Sequence, residues 1–262
     1  MLVIDGKIYL LKIMQINVWQ GRLLEPLLTF IREEAPDVIF AQEIYSYPEL
    51  VDPRSPWSCF NTLELIAEQN QLNHTYFSPA SIFPMFGRHL SYGNAILSKF
   101  DFEHTSTHYT NGSEPLQIDQ PHYFDGNTVR SFQHAVIRTG NTKLNLINHH
   151  GHWVKHPHGD GVSANSLLKI AGYIKQLDAP IIAGGDLNVA PDSFAVVAFK
   201  KVVNLRDLVG GTDAVTTLSQ AHRVQNVISD YILTSPDLDI HRVEVSDKLI
   251  SDHKAVIAEI NC

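Results

Sequence analysis

Cysteine is nearly absent: Cys59 and Cys262 are the only two in 262 residues. Two cysteines cannot make the dense disulfide framework of a small secreted scaffold, so a reducing compartment, the cytoplasm, is expected. Basic charge is also short. Lys and Arg number 20 against 28 Asp and Glu, a net charge of −8 with histidine neutral. That balance argues against a broad basic face for duplex nucleic acid, though it is compatible with a local basic groove. No run reaches the roughly 18 apolar residues that a membrane-spanning helix needs. Residues 1–14 have neither a basic segment ahead of an apolar core nor a small-residue cleavage site. Linkers rich in Pro, Gly or Ser, low-complexity runs and strong repeats are missing too. A soluble, cytoplasmic monomer built as one domain over residues 1–262 is the expectation.

What is there is a series of apolar runs, each closed by polar residues. Leu10-Leu11-Lys12-Ile13-Met14-Gln15-Ile16-Asn17 reads as a buried strand. Leu23, Leu24, Leu27, Leu28 and Ile31 then follow a helical period, which Ala35-Pro36 stops. Val38-Ile39-Phe40-Ala41 is a second strand, capped by Gln42-Glu43, so the opening is βαβ-like. Proline and aromatic residues make 45–60 read as a loop, and 63–71 looks helical. Asn94-Ala95-Ile96-Leu97 reads as a short strand, and the polar stretch 101–128 as a hairpin or long surface loop. Residues 132–138 and 143–148 flank a Gly140-Asn141 turn, a good hairpin signal. A helix is expected over 163–176. The strand Ile181-Ile182-Ala183 is expected to turn tightly at Gly184-Gly185 into Asp186. Residues 194–199 read as helix, and 227–233 and 256–260 as the last strands. Residues 1–9 are either an extra edge strand or an extension ahead of the natural start.

Three polar clusters stand where apolar strands end or begin: Gln42-Glu43, Gly185-Asp186-Leu187-Asn188 and Ser251-Asp252-His253. Polar groups held at strand ends on a buried scaffold are where α/β enzymes keep their chemistry. Taken singly, Glu43 reads first as a solvated loop acid, Asp186 equally as a turn residue or a site residue, and Asp230 as a functional acid at a strand start before a surface one. Together they supply what a hard divalent cation prefers, carboxylate and amide oxygens alongside substrate phosphate. Nearby histidines can move protons around neutral pH. Carboxylates with histidine and no cysteine cluster favour metal-assisted phosphoester hydrolysis over a structural zinc site.

The ordered motifs resemble the endonuclease/exonuclease/phosphatase family, which includes DNase I-like nucleases, abasic-site endonucleases and inositol phosphatases. They are Asn17, Gln42-Glu43, Gly93-Asn94-Ala95-Ile96-Leu97-Ser98, Asn148-His149-His150, Gly185-Asp186-Leu187-Asn188, Asp230-Tyr231-Ile232-Leu233 and Ser251-Asp252-His253. The resemblance implies an α/β four-layer sandwich of two stacked mixed β-sheets flanked by helices. It implies Mg²⁺ or Mn²⁺ as cofactor, with Glu43 as principal ligand and Asn17 and Asp252 close by. Asp186 and Asn188 would orient the attacking water and the phosphate. His253, held by Asp230, would be the general base or a phosphate-stabilising group. His150 would bind the phosphate and stabilise the transition state or protonate the leaving oxygen. Asn17, His150 and Asn188 would contact the substrate.

The expected activity is metal-dependent hydrolysis of a phosphodiester: a nuclease, or a nucleotide or small-molecule phosphodiesterase. Trp19 stands where several family nucleases carry an acid, and the segment after His150 has Ser163, Asn165 and Ser166 in place of Arg and Gln. With the negative net charge, these departures favour single-stranded nucleic acid or a nucleotide over duplex DNA. A phospholipid-headgroup enzyme would need an exposed apolar tip, for which Phe83-Pro84-Met85-Phe86 is the candidate. A phosphomonoesterase, an inactive binding module and a zinc hydrolase on His149, His150 and His152 are the remaining alternatives. Trp153 reads equally as a stacking platform or a core aromatic. Arg22, Arg54, Arg88 and Arg130 read as ordinary surface or structural arginines before they read as phosphate contacts.

Overall fold

The computed structural model describes residues 10–47, 58–85, 87–118, 129–178, 180–223 and 226–262, with the backbone of 3–4, 7–8 and 54–55. In chain order the strands begin with the two-residue pair β1 (Val3–Ile4) and β2 (Lys7–Ile8). β3 (Leu10–Asn17), helix α1 (Leu24–Glu34) and β4 (Val38–Ser46) follow. Next come β5 (Arg54–Ser55), β6 (Ser58–Cys59), α2 (Thr62–Gln69), β7 (His74–Met85) and β8 (Arg88–Ser98). β9 (Phe102–Asn111), β10 (Leu116–Gln117), β11 (Arg130–Thr139) and β12 (Thr142–His150) lead to α3 (Gly161–Ile174). β13 (Ile181–Asp186), α4 (Phe194–Val203), β14 (Arg206–Asp207), β15 (Asp230–Thr234), β16 (Asp239–Val245) and β17 (Val256–Asn261) complete the chain.

Seven strands form one mixed sheet in the order β10-β7-β8-β4-β3-β17-β16, and six form a second in the order β14-β15-β13-β12-β11-β9. β3 and β4 are parallel, joined by α1, and β12 and β13 are parallel, joined by α3. Leu24, Leu27, Leu28 and Ile31 of α1 pack with Ile66 of α2 on the outer face of the first sheet. Leu167, Ile170 and Ala171 of α3 pack with Ala195 and Phe199 of α4 on the outer face of the second. Leu11, Ile13, Val38, Phe40 and Ile96 meet Ala135, Ile137, Leu144, Leu146 and Ile182 between the sheets. Four layers result, the DNase I-like α/β sandwich. Central strands buried on both faces need continuous apolar runs, which explains why β3 and β4 read so clearly.

Several elements differ from the sequence expectations. β4 does not stop at Ala41: it continues to Ser46 through a register shift between Ala41 and Ile44. Gly184 and Gly185 lie inside β13 rather than in a turn. A Cβ on Gly185 would fall 1.8 Å from the His149 carbonyl oxygen, so close strand approach explains the glycine. Asn94-Ala95-Ile96-Leu97 belongs to a long hairpin of β7 and β8. The polar stretch after residue 101 supplies β9, paired with β11, and β10, paired with β7. Of residues 1–9, the described strands β1 and β2 bond to each other and to neither large sheet. Phe83 is buried with Tyr47, Leu90, Tyr92 and Ile118, so it is no membrane-facing tip. Phe86 lies outside the described residues, as do the side chain of Arg54 and residues 119–128. No described helix is long and apolar enough to cross a membrane.

Candidate active site

Side chains alternate along a strand, so one face of each central strand lines the space between the sheets. Along that face the chemistry changes in order. Apolar residues come first: Leu11 and Ile13 on β3, Val38 and Phe40 on β4, Leu144 and Leu146 on β12. A polar layer follows, made of Gln15, Gln42, Gln133 and Asn148, all fully buried. Gln15 Nε2 donates to Gln42 Oε1 at 2.6 Å, and Gln42 Nε2 donates to Asn148 Oδ1 at 2.7 Å. Asn148 Nδ2 donates to Gln133 Oε1 at 2.9 Å, and Gln133 Nε2 to the Tyr76 carbonyl at 2.8 Å. The amides satisfy one another, which is the condition for burying them. One residue pair further along each strand stand Asn17, His150 and Asp186.

The eight residues singled out from the sequence come together at this rim. Glu43, His150, Asp186, Asn188, Asp252 and His253 line one cavity of about 290 Å³. Asn17 and Asp230 support it from beneath. Asn17 Nδ2 donates to Asp186 Oδ2 at 3.1 Å. The same oxygen lies 3.6 Å from His150 Nε2 and 3.7 Å from His253 Nε2. Asp186 Oδ1 accepts from the Asn188 backbone N–H at 3.0 Å, and Asn188 Nδ2 donates to the Gly151 carbonyl at 3.2 Å. Asp230 accepts from Gln15 Nε2 at 3.1 Å, from Ser229 Oγ at 3.0 Å and from His253 Nδ1 at 2.9 Å. Ser251 Oγ ties the last loop to the Asn17 carbonyl at 2.6 Å.

Backbone irregularities aim two of these groups. Glu43 has φ 54° and sits in the β4 register shift, which inserts one residue between Ala41 and Ile44. Strict alternation would send Glu43 away from the inter-sheet face. The bulge sends it into the cavity instead. A second shift, between Arg130 and Ser131, brings buried Arg130 to the same cavity. Tyr92, Gln20 and His222 also line it. Sequence reading missed Tyr92, Gln20 and His222, and ranked Arg130 as a structural arginine before a phosphate contact. Arg130 had one available signal, a cation opening an apolar strand, while Tyr92 and His222 sit in no motif that distinguishes them.

The electrostatics follow from burial and crowding. Burial, then the neighbouring Asp252, raises the Glu43 pKa, and burial likewise raises that of Asp252. Burial is the main cause that lifts Asp186 to about 7, with Asp230 adding to it and His253 opposing. Burial disfavours charge on His253, but Asp230, Asp186 and Asp252 outweigh it and hold the imidazole well above the ordinary histidine value. His150 goes the other way: burial first, then the Arg130 charge, holds it well below that value. His253 is thus biased toward the imidazolium and His150 toward the neutral imidazole.

The His149–His152 cluster does not converge. His149 and His150 point to opposite faces of β12. His149 Nδ1 meets the Ser131 carbonyl at 2.9 Å, and His152 faces Asp160 at 3.6 Å. A zinc site on these histidines is thereby excluded by strand alternation. Trp153 is 52% exposed at the cavity rim rather than in the core. Arg22 stacks on Trp19 at 4.8 Å and Arg88 is exposed.

A divalent ion fits this rim. Glu43, Asp252 and Asn17 offer hard oxygen donors, and both carboxylates are raised first by burial and then by a neighbouring acid, Asp252 for Glu43 and Asp230 for Asp252, a crowding of buried negative charge that a cation would relieve. Among the described residues, two groups of acids and histidines have ligand atoms close enough to hold a metal, His222, Asp252 and His253, and Asp186, Asp230 and His253; Asp252 belongs to one of them and Glu43 to neither.

Stacked mixed sheets with carboxylates, amides and imidazoles gathered at one rim define a class, the DNase I-like sandwich proteins. A family profile described as the Endonuclease/Exonuclease/phosphatase family matches residues 14–253, and the chain belongs to that family. Members of this family are generally hydrolases of phosphoester bonds and usually use a divalent metal. Solved structures agree in fold. An endonuclease/exonuclease/phosphatase family protein from Leptotrichia buccalis is 17% identical with a TM-score of 0.69, covering 96% of this chain and 100% of that one. A mannosyl-6-phosphatase from Bacteroides thetaiotaomicron is 16% identical with a TM-score of 0.68, covering 95% and 99%. TDP2 from D. rerio, complexed with a single strand DNA product, is 15% identical with a TM-score of 0.68, covering 97% and 99%. No curated protein sequence matches the chain.

Proposed function

We propose that this chain is a single-domain, divalent-metal-dependent phosphodiesterase acting on a single-stranded nucleic acid, a nucleotide or a small nucleotide-like diester. The observation that carries the reading is Asp186 Oδ2, placed 3.6 Å from His150 Nε2 and 3.7 Å from His253 Nε2 beside Glu43 and Asp252. A phosphate seated in that cavity meets an imidazolium, a neutral imidazole and an amide. Mg²⁺ or Mn²⁺, held by Glu43, Asp252 and Asn17, would supply Lewis-acid polarisation of a phosphoryl oxygen.

The chain's own residues divide the remaining work. Asp186, with its raised pKa, takes the proton of the attacking water near neutral pH, where a general base is most effective. Asn188 and Asn17 orient water and phosphate. His253 acts as a cationic donor to the phosphate, because Asp230 keeps it charged and aims Nε2 inward. Of its two sequence-derived roles, this geometry supports phosphate stabilisation over proton abstraction. His150, neutral, donates a hydrogen bond as charge develops.

The reading is tested with bis-p-nitrophenyl phosphate, single-stranded and duplex DNA, RNA and p-nitrophenyl phosphate. Turnover of diesters should vanish with EDTA and return with Mg²⁺ or Mn²⁺. Cleavage of none of these with any divalent ion ends the enzyme reading. Cleavage of the monoester alone replaces it with a phosphatase, the activity in the name of the Bacteroides thetaiotaomicron neighbour.

A further inference from the structure

A second cleft opens from the catalytic cavity. It holds about 90 Å³, and its walls include Trp153, Pro157, Leu218 and Val227. It joins the catalytic cavity through Trp153, Asn188, His222 and His253, which line both. Lys155 lies on its wall, and no carboxylate is among its described lining residues. The catalytic cavity, by contrast, carries Glu43, Asp186 and Asp252.

Both walls are pinned to the catalytic segments. On one side, the Gly151 N–H donates to the Asp186 carbonyl at 2.7 Å, and the Ala190 N–H donates to the Pro157 carbonyl at 2.7 Å. On the other, Leu218 pairs with His253 as an isolated antiparallel bridge, and the Lys254 N–H donates to the Thr217 carbonyl at 2.7 Å. Phosphate position and cleft position are therefore set by the same backbone. Pre-formed walls of this kind lose little entropy on binding.

We propose that this cleft is a subsite for a planar aromatic ring, carried on the non-leaving oxygen of the phosphodiester; this rests on the phosphodiesterase reading. In-line displacement places the leaving oxygen opposite the attacking water. Asn188 and His253, which connect the two spaces, are immediate neighbours of Asp186, the group assigned to that water. The cleft thus flanks the nucleophile's side and suits the retained substituent. Trp153 stands 52% exposed at the junction of the two spaces, and the apolar walls favour a ring over a small alkyl group. Lys155, with no carboxylate beside it among the described lining residues, disfavours a quaternary ammonium headgroup. A nucleobase and a simple aryl ring share the required chemistry.

The test holds the leaving group constant as p-nitrophenolate and varies the retained group: methyl, phenyl, thymidin-5′-yl and cholinyl. Phenyl and thymidinyl esters should show KM about tenfold below the methyl ester with little change in kcat, as stacking on an aromatic side chain predicts. The cholinyl ester should show no such gain. Trp153→Ala should collapse the methyl-to-phenyl KM ratio to near one, and Trp153→Phe should keep most of it. A gain for phenyl alone, without thymidinyl, still supports a ring subsite and identifies a simple aryl group. Equal KM for methyl and phenyl, a cholinyl preference, or a ratio untouched by Trp153→Ala overturns the proposal. Calorimetry with phenylphosphonate and methylphosphonate separates the two readings. Phenyl preference without any turnover keeps the subsite and removes the enzyme, and turnover without preference does the reverse.

Discussion

Asp186 Oδ2 is the most contested atom of the site at the scale of single residues. It accepts from Asn17 and stands within 3.7 Å of two imidazoles. Asn at this position keeps the size and the acceptor for Asn17, but it cannot take a proton. Asp186→Asn should therefore lower kcat by at least about 10²-fold, the usual loss with a general base. The melting temperature should hold or rise, because a buried acid of raised pKa is removed. Steady-state turnover and a thermal melt check both. If the variant turns over like the parent, the proton goes elsewhere. Asp230 acts one residue back. It raises the His253 pKa and fixes its ring through Nδ1. Asp230→Asn weakens the countercharge, so His253 should lose its proton at lower pH. The alkaline limb of the pH–rate profile should move to lower pH. An unmoved limb separates His253 ionisation from activity.

Elements position these residues through two devices, close strand approach and bulges, and neither is written plainly in sequence. Gly185 has φ 140° and a neighbouring carbonyl 1.8 Å from where its Cβ would lie. Gly185→Ala should cost at least about 3 kcal/mol or prevent folding, since strain and overpacking act together. Denaturant unfolding measures it, and a loss below about 1 kcal/mol would mean that β12 and β13 can separate there. The sequence displayed Gly184-Gly185 but suggested a turn, because freedom of φ and need for space leave the same residue. The parallel β3–α1–β4 unit and the β11–β12 hairpin were legible from continuous apolar runs, helical spacing and Gly140-Asn141. β16 was not: as an edge strand with residues exposed on both faces, it carries no alternation. The β7–β8 hairpin was obscured by Pro79 and Pro84. The gathering of the eight candidate residues at one rim was legible because each closes or opens an apolar run or follows one within a few positions. Arg130 ranked with three other arginines as structural first, since only the bulge beside it turns a strand-opening arginine into a cavity wall.

At the scale of the whole molecule, the sandwich carries a polar layer between its apolar core and its rim, so the charged cluster is buried without charge entering the hydrophobic centre. That arrangement has a thermodynamic consequence. Asp186 titrates near 7 when folded but near 3.8 when free, and Glu43 and Asp252 are raised as well. Between about pH 4 and pH 7 these carboxylates bind more protons in the metal-free folded state than in the unfolded chain, so their contribution to stability falls as pH rises, while His149 and His150, held below the free histidine value by burial, act in the opposite direction below about 6.5. His253 acts in the same direction as the carboxylates at higher pH. Its folded pKa is raised, so its contribution is full below the free value of 6.5 and is lost as pH climbs through the raised one. A divalent ion binds these carboxylates as anions and offsets their repulsion, and it competes with protons for them. Mg²⁺ should accordingly raise the melting temperature little at about pH 5 and several degrees at about pH 8, an increment expected of about 1 kcal/mol or more. Paired melts in EDTA and in Mg²⁺ across that range measure it. An equal gain at both ends, or none at the upper end, would mean that the rim carboxylates do not hold the ion. Glu43→Gln should shrink the gain at high pH, because it removes one of the two crowded charges while leaving an oxygen donor in place.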